Sequence, residues 1–254
     1  MKFTFLGTGT SQGIPVIGCS CPVCRSSDPR DKRFRTAGLL EAENTNIVFD
    51  AGPDFRMQML QWGPSRLDGI FITHEHNDHI AGLDDIRPYN FMQKQPLKVF
   101  AMSRVAEALK RKFDYVFESN PYPGCPSIEL IEITPGNAVT VGNLVVEPLE
   151  VLHGKTPILG YKIAGFVYLT DVKHIPDETV SAITGVEALV ISALRHKPHH
   201  SHLTLREALK WIINLTPKKA WLTHLSHEMG KYKDIASTLP QNVMLAYDGL
   251  SIGS

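Results

Sequence analysis

His74-Glu75-His76-Asn77-Asp78-His79 directly follows the apolar run Gly69-Ile70-Phe71-Ile72-Thr73. The run is short enough to be a buried strand, so the polar cluster stands at a strand tip. Four of its residues, the imidazoles of His74, His76 and His79 and the carboxylate of Asp78, are potential ligands of the types that metal sites use. In extended chain His74 and His76 are two apart and share a face. Asp78 and His79 fall on the turn into a helix and can face a second ion.

Neither ion is complete without further ligands. Three candidates stand at the ends of other strand-like runs. His153 follows Val145 to Leu152, Asp171 follows Val167-Tyr168-Leu169-Thr170, and His224 follows Ala220-Trp221-Leu222-Thr223. A lone His after a strand is most often structural. Three such residues together with the cluster point to a metal centre.

Around these residues the chain reads as β-rich. Strands are expected at 2–6, 37–42, 46–50, 128–133, 138–141, 144–151, 158–163, 166–170, 188–192, 219–223 and 243–246. Helices are expected at 53–60, 103–113 and 176–183. A last helix runs to about Asn214 behind the capping box Thr204…Glu207. Strands with helices interspersed in both halves suit two sheets packed face to face with helices outside, better than a regular βαβ repeat. No internal repeat or low-complexity tract is visible. The 254 residues are within the range of one α/β domain, taken here as 1–254.

Acidic and basic residues balance at 26 each, so the chain has no global attraction for nucleic acid or an anionic membrane. No apolar stretch approaches the roughly 20 residues needed to span a bilayer, and the start is too short in apolar residues for a signal peptide. A cytoplasmic protein is expected. Cysteines there are reduced, so the cluster Cys19, Cys21 and Cys24 reads as metal ligands rather than disulfides. His227, three residues after His224, could close a structural Cys₃His zinc site. Cys125 stands alone and reads as a packing residue.

The pattern His-x-His-x-Asp-His, followed by His, Asp and His, resembles the metallo-β-lactamase superfamily over nearly the whole chain. The resemblance implies an α/β fold, a four-layer αββα sandwich with a dinuclear site at one edge. It implies that His74, His76 and His153 hold one ion, that Asp78, His79 and His224 hold the other, and that Asp171 bridges them. Asp50, in Ile47-Val48-Phe49-Asp50-Ala51-Gly52, resembles the family's strand-end aspartate that supports the ligands, although a turn-capping Asp reads the same way. Two divalent ions, manganese or zinc, would make hydroxide available from a bridging water near neutral pH.

Within the superfamily, the cysteine cluster with His227 and the opening Gly7-Thr8-Gly9-Thr10-Ser11-Gln12-Gly13-Ile14-Pro15 are similar to the PhnP-type phosphodiesterases of the carbon–phosphorus lyase pathway. That likeness implies hydrolysis of a small or cyclic phosphodiester and suggests a homodimer. His202 precedes the capped helix and resembles an extra catalytic His that protonates the leaving alkoxide. The solvated reading remains open for it and is adopted for His174, His196, His199 and His200. Gly9 and Ser11 lie on a glycine turn that either cradles phosphate or simply reverses the chain. Arg87 is a further candidate for phosphate contact. Ribonuclease Z-like nucleases typically carry an arm for transfer RNA between the equivalents of His153 and Asp171. A short hairpin is all that fits there, so no transfer RNA partner is expected. A lactonase or thioesterase of the same fold, and a nucleotide-binding protein without activity, are the remaining alternatives.

Overall fold

The computed structural model describes residues 1–253. Among them, fourteen strands form two seven-stranded sheets. The first contains β1 (Lys2–Gly7), β2 (Ala37–Ala42), β3 (Thr45–Phe49), β4 (Gly69–Phe71), β5 (Leu97–Ala101), β6 (Ile128–Glu132) and β14 (Ser251–Gly253). Their order is β14-β1-β2-β3-β4-β5-β6. The second contains β7 (Val139–Val141), β8 (Leu144–His153), β9 (Thr156–Ile163), β10 (Phe166–Leu169), β11 (Ala188–Ser192), β12 (Lys219–Thr223) and β13 (Val243–Leu245), in the order β13-β12-β11-β10-β9-β8-β7. From β3 to β6, and again from β10 to β13, neighbouring strands run parallel.

The side-chain pattern explains the four layers. Phe3, Phe5, Phe49, Phe71, Tyr161 and Tyr168 point between the sheets and form one aromatic core. The alternate residues of the same strands, such as Leu6, Val48, Ile70, Val167 and Leu169, are equally buried on the outer faces. A strand apolar on both sides needs cover on both sides. The first sheet is covered by α1 (Phe55–Trp62), α3 (Arg87–Gln93) and α4 (Ser103–Lys112). The second is covered by α5 (Asp177–Ile183), α6 (Leu205–Leu215) and α7 (Tyr232–Ala236). The very short α2 (Asn77–Ile80) belongs to the ligand loop. This is the α/β metallo-β-lactamase fold in its αββα arrangement. No helix among the described residues is long and apolar enough to cross a membrane.

Four elements, β5, α3, α7 and β14, go beyond the sequence expectation. β5 carries a buried parallel strand in only five residues, Leu97-Lys98-Val99-Phe100-Ala101, directly before a strong helical pattern. α3 has one buried residue, Tyr89, and so leaves almost no periodic signal. β14 is a three-residue edge strand held by backbone pairing with β1. One boundary also moves. The helix expected from Pro53 begins at Phe55, because Asp54 is engaged by the Arg35 backbone N–H at 2.8 Å and its guanidinium at 3.0 Å. Gly52, just before it, lies so close to the ligand loop that a Cβ there would meet the Asp78 carbonyl oxygen at 1.9 Å. Glycine is required at that approach.

The parallel strands β3, β4, β10, β11 and β12 all end at the same edge of the sandwich. In α/β folds ligands bind at the carboxyl ends of such strands.

Candidate active site

The residues that follow β3, β10 and β12 share one backbone device. Asp50, Asp171 and His224 all adopt left-handed conformations, with φ of 63°, 57° and 56°. Such angles are uncommon away from glycine, and they concentrate at functional sites where surrounding structure holds them. Asp50 is held by Thr73, whose backbone N–H donates to Oδ1 at 2.8 Å. Asp171 is held by the Thr170 hydroxyl, which donates to Oδ2 at 2.6 Å.

These tips gather the histidines expected from the sequence. His74, His76 and His153 form one group whose donor atoms lie within 4.8 Å of one another, and Asp78, His79 and His224 form another. Asp171 touches both: its Oδ1 is 3.1 Å from His224 Nε2 and its Oδ2 is 3.4 Å from His79 Nε2, and its carboxylate lies within 4.8 Å of donor atoms of His74 and of His153. All are buried or half-buried except His76, which is exposed.

The ring nitrogens facing away from the centre are fixed by the protein. His79 Nδ1 is 2.7 Å from Asp50 Oδ2, and His153 Nδ1 is 2.8 Å from the Asp171 backbone oxygen. Each contact leaves Nε2 free to ligate, the usual arrangement of a metal-bound imidazole. Burial lowers the affinity of His79 for a proton, but Asp50, Asp171 and Asp78 outweigh it and raise its pKa well above the ordinary value. Asp171 shows the reverse balance. Burial pushes its pKa up, yet the surrounding imidazoles of His224, His79, His74 and His202 hold it well below the carboxylate range.

The donor set fits cations. His79 Nε2 and both ring nitrogens of His224 are buried without a hydrogen-bond partner. Unpaired buried polar atoms are costly, and two of these, His79 Nε2 and His224 Nε2, face the same Asp171 carboxylate. Imidazoles with carboxylates in two groups sharing Asp171 suit a dinuclear site.

His202 joins this centre. Its ring lies 4.6 Å from His153 and 4.9 Å from His224, centroid to centroid, and its Nδ1 is 3.6 Å from Asp171 Oδ1. The loop is braced from below. Leu203 donates to the Val172 carbonyl at 2.9 Å, and Lys173 Nζ reaches the His202 carbonyl at 3.3 Å. The expected capping box is present in both directions, with Glu207 N to Thr204 Oγ1 and Thr204 N to Glu207 Oε2. Burial drops the His202 pKa to about 3, although Asp171 opposes the fall. His199, read from sequence as solvated, instead packs its ring 4.9 Å from that of His202. His196 and His174 are exposed, as the solvated reading expects, the first with Nε2 2.8 Å from the Met229 carbonyl and the second with its ring 5.9 Å from that of Trp211.

Cys19, Cys21 and Cys24 surround His227 Nδ1 at 3.3, 3.5 and 3.5 Å. One ring nitrogen cannot hydrogen-bond to three sulfurs at once. A tetrahedral ion with bonds of about 2.3 Å to sulfur and about 2.0 Å to nitrogen would set sulfur–nitrogen edges of about 3.5 Å. The cluster therefore suits a structural metal. Backbone donation from Cys24 N–H, the largest influence, brings the Cys21 thiol down to about 6 despite burial, whereas burial lifts Cys24 to about 11. The Cys21→Ser variant is expected to lose one ion per chain, with a lower melting temperature and the dinuclear centre still loaded. Elemental analysis beside thermal melting checks this, and an unchanged ion count would refute the site.

The proposed phosphate contacts fare differently. The backbone N–H groups of Gly9, Thr10 and Gly13 donate to Phe34, Leu225 and Thr10 carbonyls at 2.8 to 3.0 Å. These three N–H groups are committed to the fold, which corrects the cradle reading for Gly9. Ser11 is exposed, and its carbonyl accepts from Arg35 Nε at 3.2 Å. Arg87 is engaged by Asp84, which also accepts from the Tyr115 hydroxyl at 2.6 Å.

A family model described as "Beta-lactamase superfamily domain" matches residues 45–225. A crystal structure described as a new diphosphatase from the PhnP family superposes with a TM-score of 0.92 at 36% identity, covering 99% of this chain and 96% of the other. PqqB from Methylobacterium extorquens in its zinc-bound form follows at a TM-score of 0.83 and 15% identity, covering both chains fully, and supports the fold alone. Among curated proteins, one named octanoyltransferase from Porphyromonas gingivalis is 41% identical over 98% of this chain and 51% of its own length. A ribonuclease Z from Methanosarcina acetivorans is 30% identical over 64% of this chain and 48% of its own. The chain spans about half the length of these curated relatives. The strand-tip histidines and aspartates, the αββα layers and the family match agree: this chain belongs to the metallo-β-lactamase superfamily.

Proposed function

We propose that the chain is a metal-dependent hydrolase that cleaves a small phosphodiester, in the manner of the PhnP-type enzymes. The observation that carries this reading is the half-buried His202, held against Asp171 and between His153 and His224. His74, His76 and His153 would hold one divalent cation, and Asp78, His79 and His224 a second, with Asp171 shared; manganese or zinc suits these donors. When bound, the cations would supply Lewis acidity, lowering the pKa of water and polarising phosphoryl oxygens.

The residues themselves do the rest. Asp50 and the Asp171 carbonyl fix the tautomers of His79 and His153. His202 is neutral in the resting protein, since burial disfavours its charged form. An anionic phosphodiester beside it favours that charged form. His202 then carries a proton into the complex and donates it to the departing oxygen. The segment between His153 and Asp171 is filled by β9 and β10 with tight turns, leaving no arm for a folded RNA. That supports a small or nucleotide-sized substrate without transfer RNA.

A second reading, hydrolysis of a diphosphate linkage, is favoured by the description of the PhnP-family structure as a diphosphatase. It uses the same donor for the same bond, phosphorus to oxygen. The deciding experiment compares bis(p-nitrophenyl) phosphate, a diphosphate diester, a thioester and a lactone with protein loaded with manganese or zinc. Turnover of the phosphodiester is expected. Turnover confined to the diphosphate favours the second reading, and turnover confined to the thioester or lactone rejects both.

A further inference from the structure

Three of the proposed ligands, His74, His76 and His153, come from different sheets. The first two follow β4, and the third ends β8. Their relative placement depends on how the sheets are tied at this edge. One tie is the Leu159 N–H, which donates to the Thr73 carbonyl at 3.0 Å. Another is the Tyr161 hydroxyl, which donates to the Ile72 carbonyl at 2.6 Å. A third is a side chain with no assigned role, Arg104, in the first turn of α4.

Its guanidinium spans the gap. Arg104 Nη1 donates to Glu75 Oε1, and Glu75 sits between His74 and His76. Arg104 Nη2 donates to the Pro157 carbonyl at 2.8 Å. Pro157 pairs with Leu152 across the β8–β9 ladder, one position from the pair His153↔Thr156. The last turn of the same helix grips the loop again, where Lys112 Nζ donates to Asn77 Oδ1. A helix that packs on the first sheet thus reaches the second sheet through one forked cation.

We propose that Arg104 is a positioning residue: it fixes the loop carrying His74 and His76 to the hairpin carrying His153, and so presets the three-histidine group for its cation. Arginine suits this task because its planar fork directs two donors at once, whereas lysine offers a single flexible point charge. The contact works through ligand placement, as supporting groups around metal sites do. The proposal rests on the three histidines holding an ion.

The test measures equilibrium affinity for Mn²⁺ and Zn²⁺ in wild type, Arg104→Ala, Arg104→Lys and His153→Ala, with the melting temperature of each metal-free protein. The His153→Ala variant identifies the ion held by the histidine group. Arg104→Ala is expected to weaken that same ion about 10- to 100-fold. The Cys₃His ion should keep its affinity. Arg104→Lys should fall between wild type and Arg104→Ala. The metal-free melting temperature should hardly change, because Arg104 keeps 41% of its side chain exposed and such pairs add little stability. Wild-type affinity in Arg104→Ala, while His153→Ala loses an ion, overturns the brace alone. Weakening of every ion together with a lower melting temperature makes Arg104 merely structural and also overturns it. If His153→Ala removes no ion, the three-histidine site and its brace fall together.

Discussion

Asp171→Asn is expected to abolish turnover while leaving the fold intact. The loss should be on the order of 10⁴-fold, equivalent to ~5 kcal/mol of transition-state stabilisation. Asp171 is the residue proposed to be shared: it lies 3.1 Å from His224 Nε2 and 3.4 Å from His79 Nε2, and within 4.8 Å of the donor atoms of His74 and His153 in the first group. Asparagine keeps its size and tolerates the left-handed backbone found there. Its amide oxygen can still accept from the Thr170 hydroxyl. What disappears is the negative charge among four imidazoles, which is also what would hold two cations close together. The substitution therefore separates electrostatics from shape. Circular dichroism should be unchanged, and elemental analysis should show fewer ions per chain at the centre, with the Cys₃His ion retained. An Asn variant with the full ion count and a rate within tenfold of wild type would remove Asp171 from the shared position.

The sequence exposed the identity of the ligands better than their support. Ligands are read from residue type after a strand, and His74, His153, Asp171 and His224 follow runs whose strand character is plain. The left-handed backbone at Asp50, Asp171 and His224 has no such signal, since Asp and His, though enriched there, adopt it in only a small share of their occurrences. Contacts between distant segments are also invisible locally. Arg104 reads as an ordinary cation on a charged helix face, and only the packing of α4 against the ligand loop gives it Glu75 and Pro157 as partners. His199 looked solvated because its neighbours in sequence are polar, yet the loop folds its ring onto His202. The glycine turn misled for a related reason. Gly7 to Gly13 resembles an anion cradle in composition, but its Gly9 and Thr10 N–H groups donate to Phe34 and Leu225, which lie far away in the chain.

His202→Ala should discriminate between leaving groups. With an alkyl phosphodiester, whose departing alkoxide is strongly basic, the loss should be about 10²- to 10⁴-fold in kcat, the usual yield of general acid catalysis. With a p-nitrophenyl ester the leaving oxygen needs no proton, and the loss should shrink to a few-fold. Removing the ring also relieves the centre of a buried polar atom, because His202 Nδ1 has no hydrogen-bond partner. The variant is therefore expected to melt no lower than wild type, so the rate loss does not report unfolding. His202 is half-buried beside His153, Asp171 and His224, and these four groups have an alternative arrangement in which His202 ligates a cation with His153 and Asp171, whose donor atoms all lie within 4.8 Å. The two roles diverge in the measurement. A proton donor leaves the ion count unchanged and makes the loss grow with leaving-group basicity. A ligand takes an ion with it and slows both esters alike, which would refute the acid role. The pH dependence gives a further discriminant. The acid must be protonated in the complex, so kcat for the alkyl ester should fall as pH rises through the pKa of His202 in that complex, and His202→Ala should erase that limb of the profile.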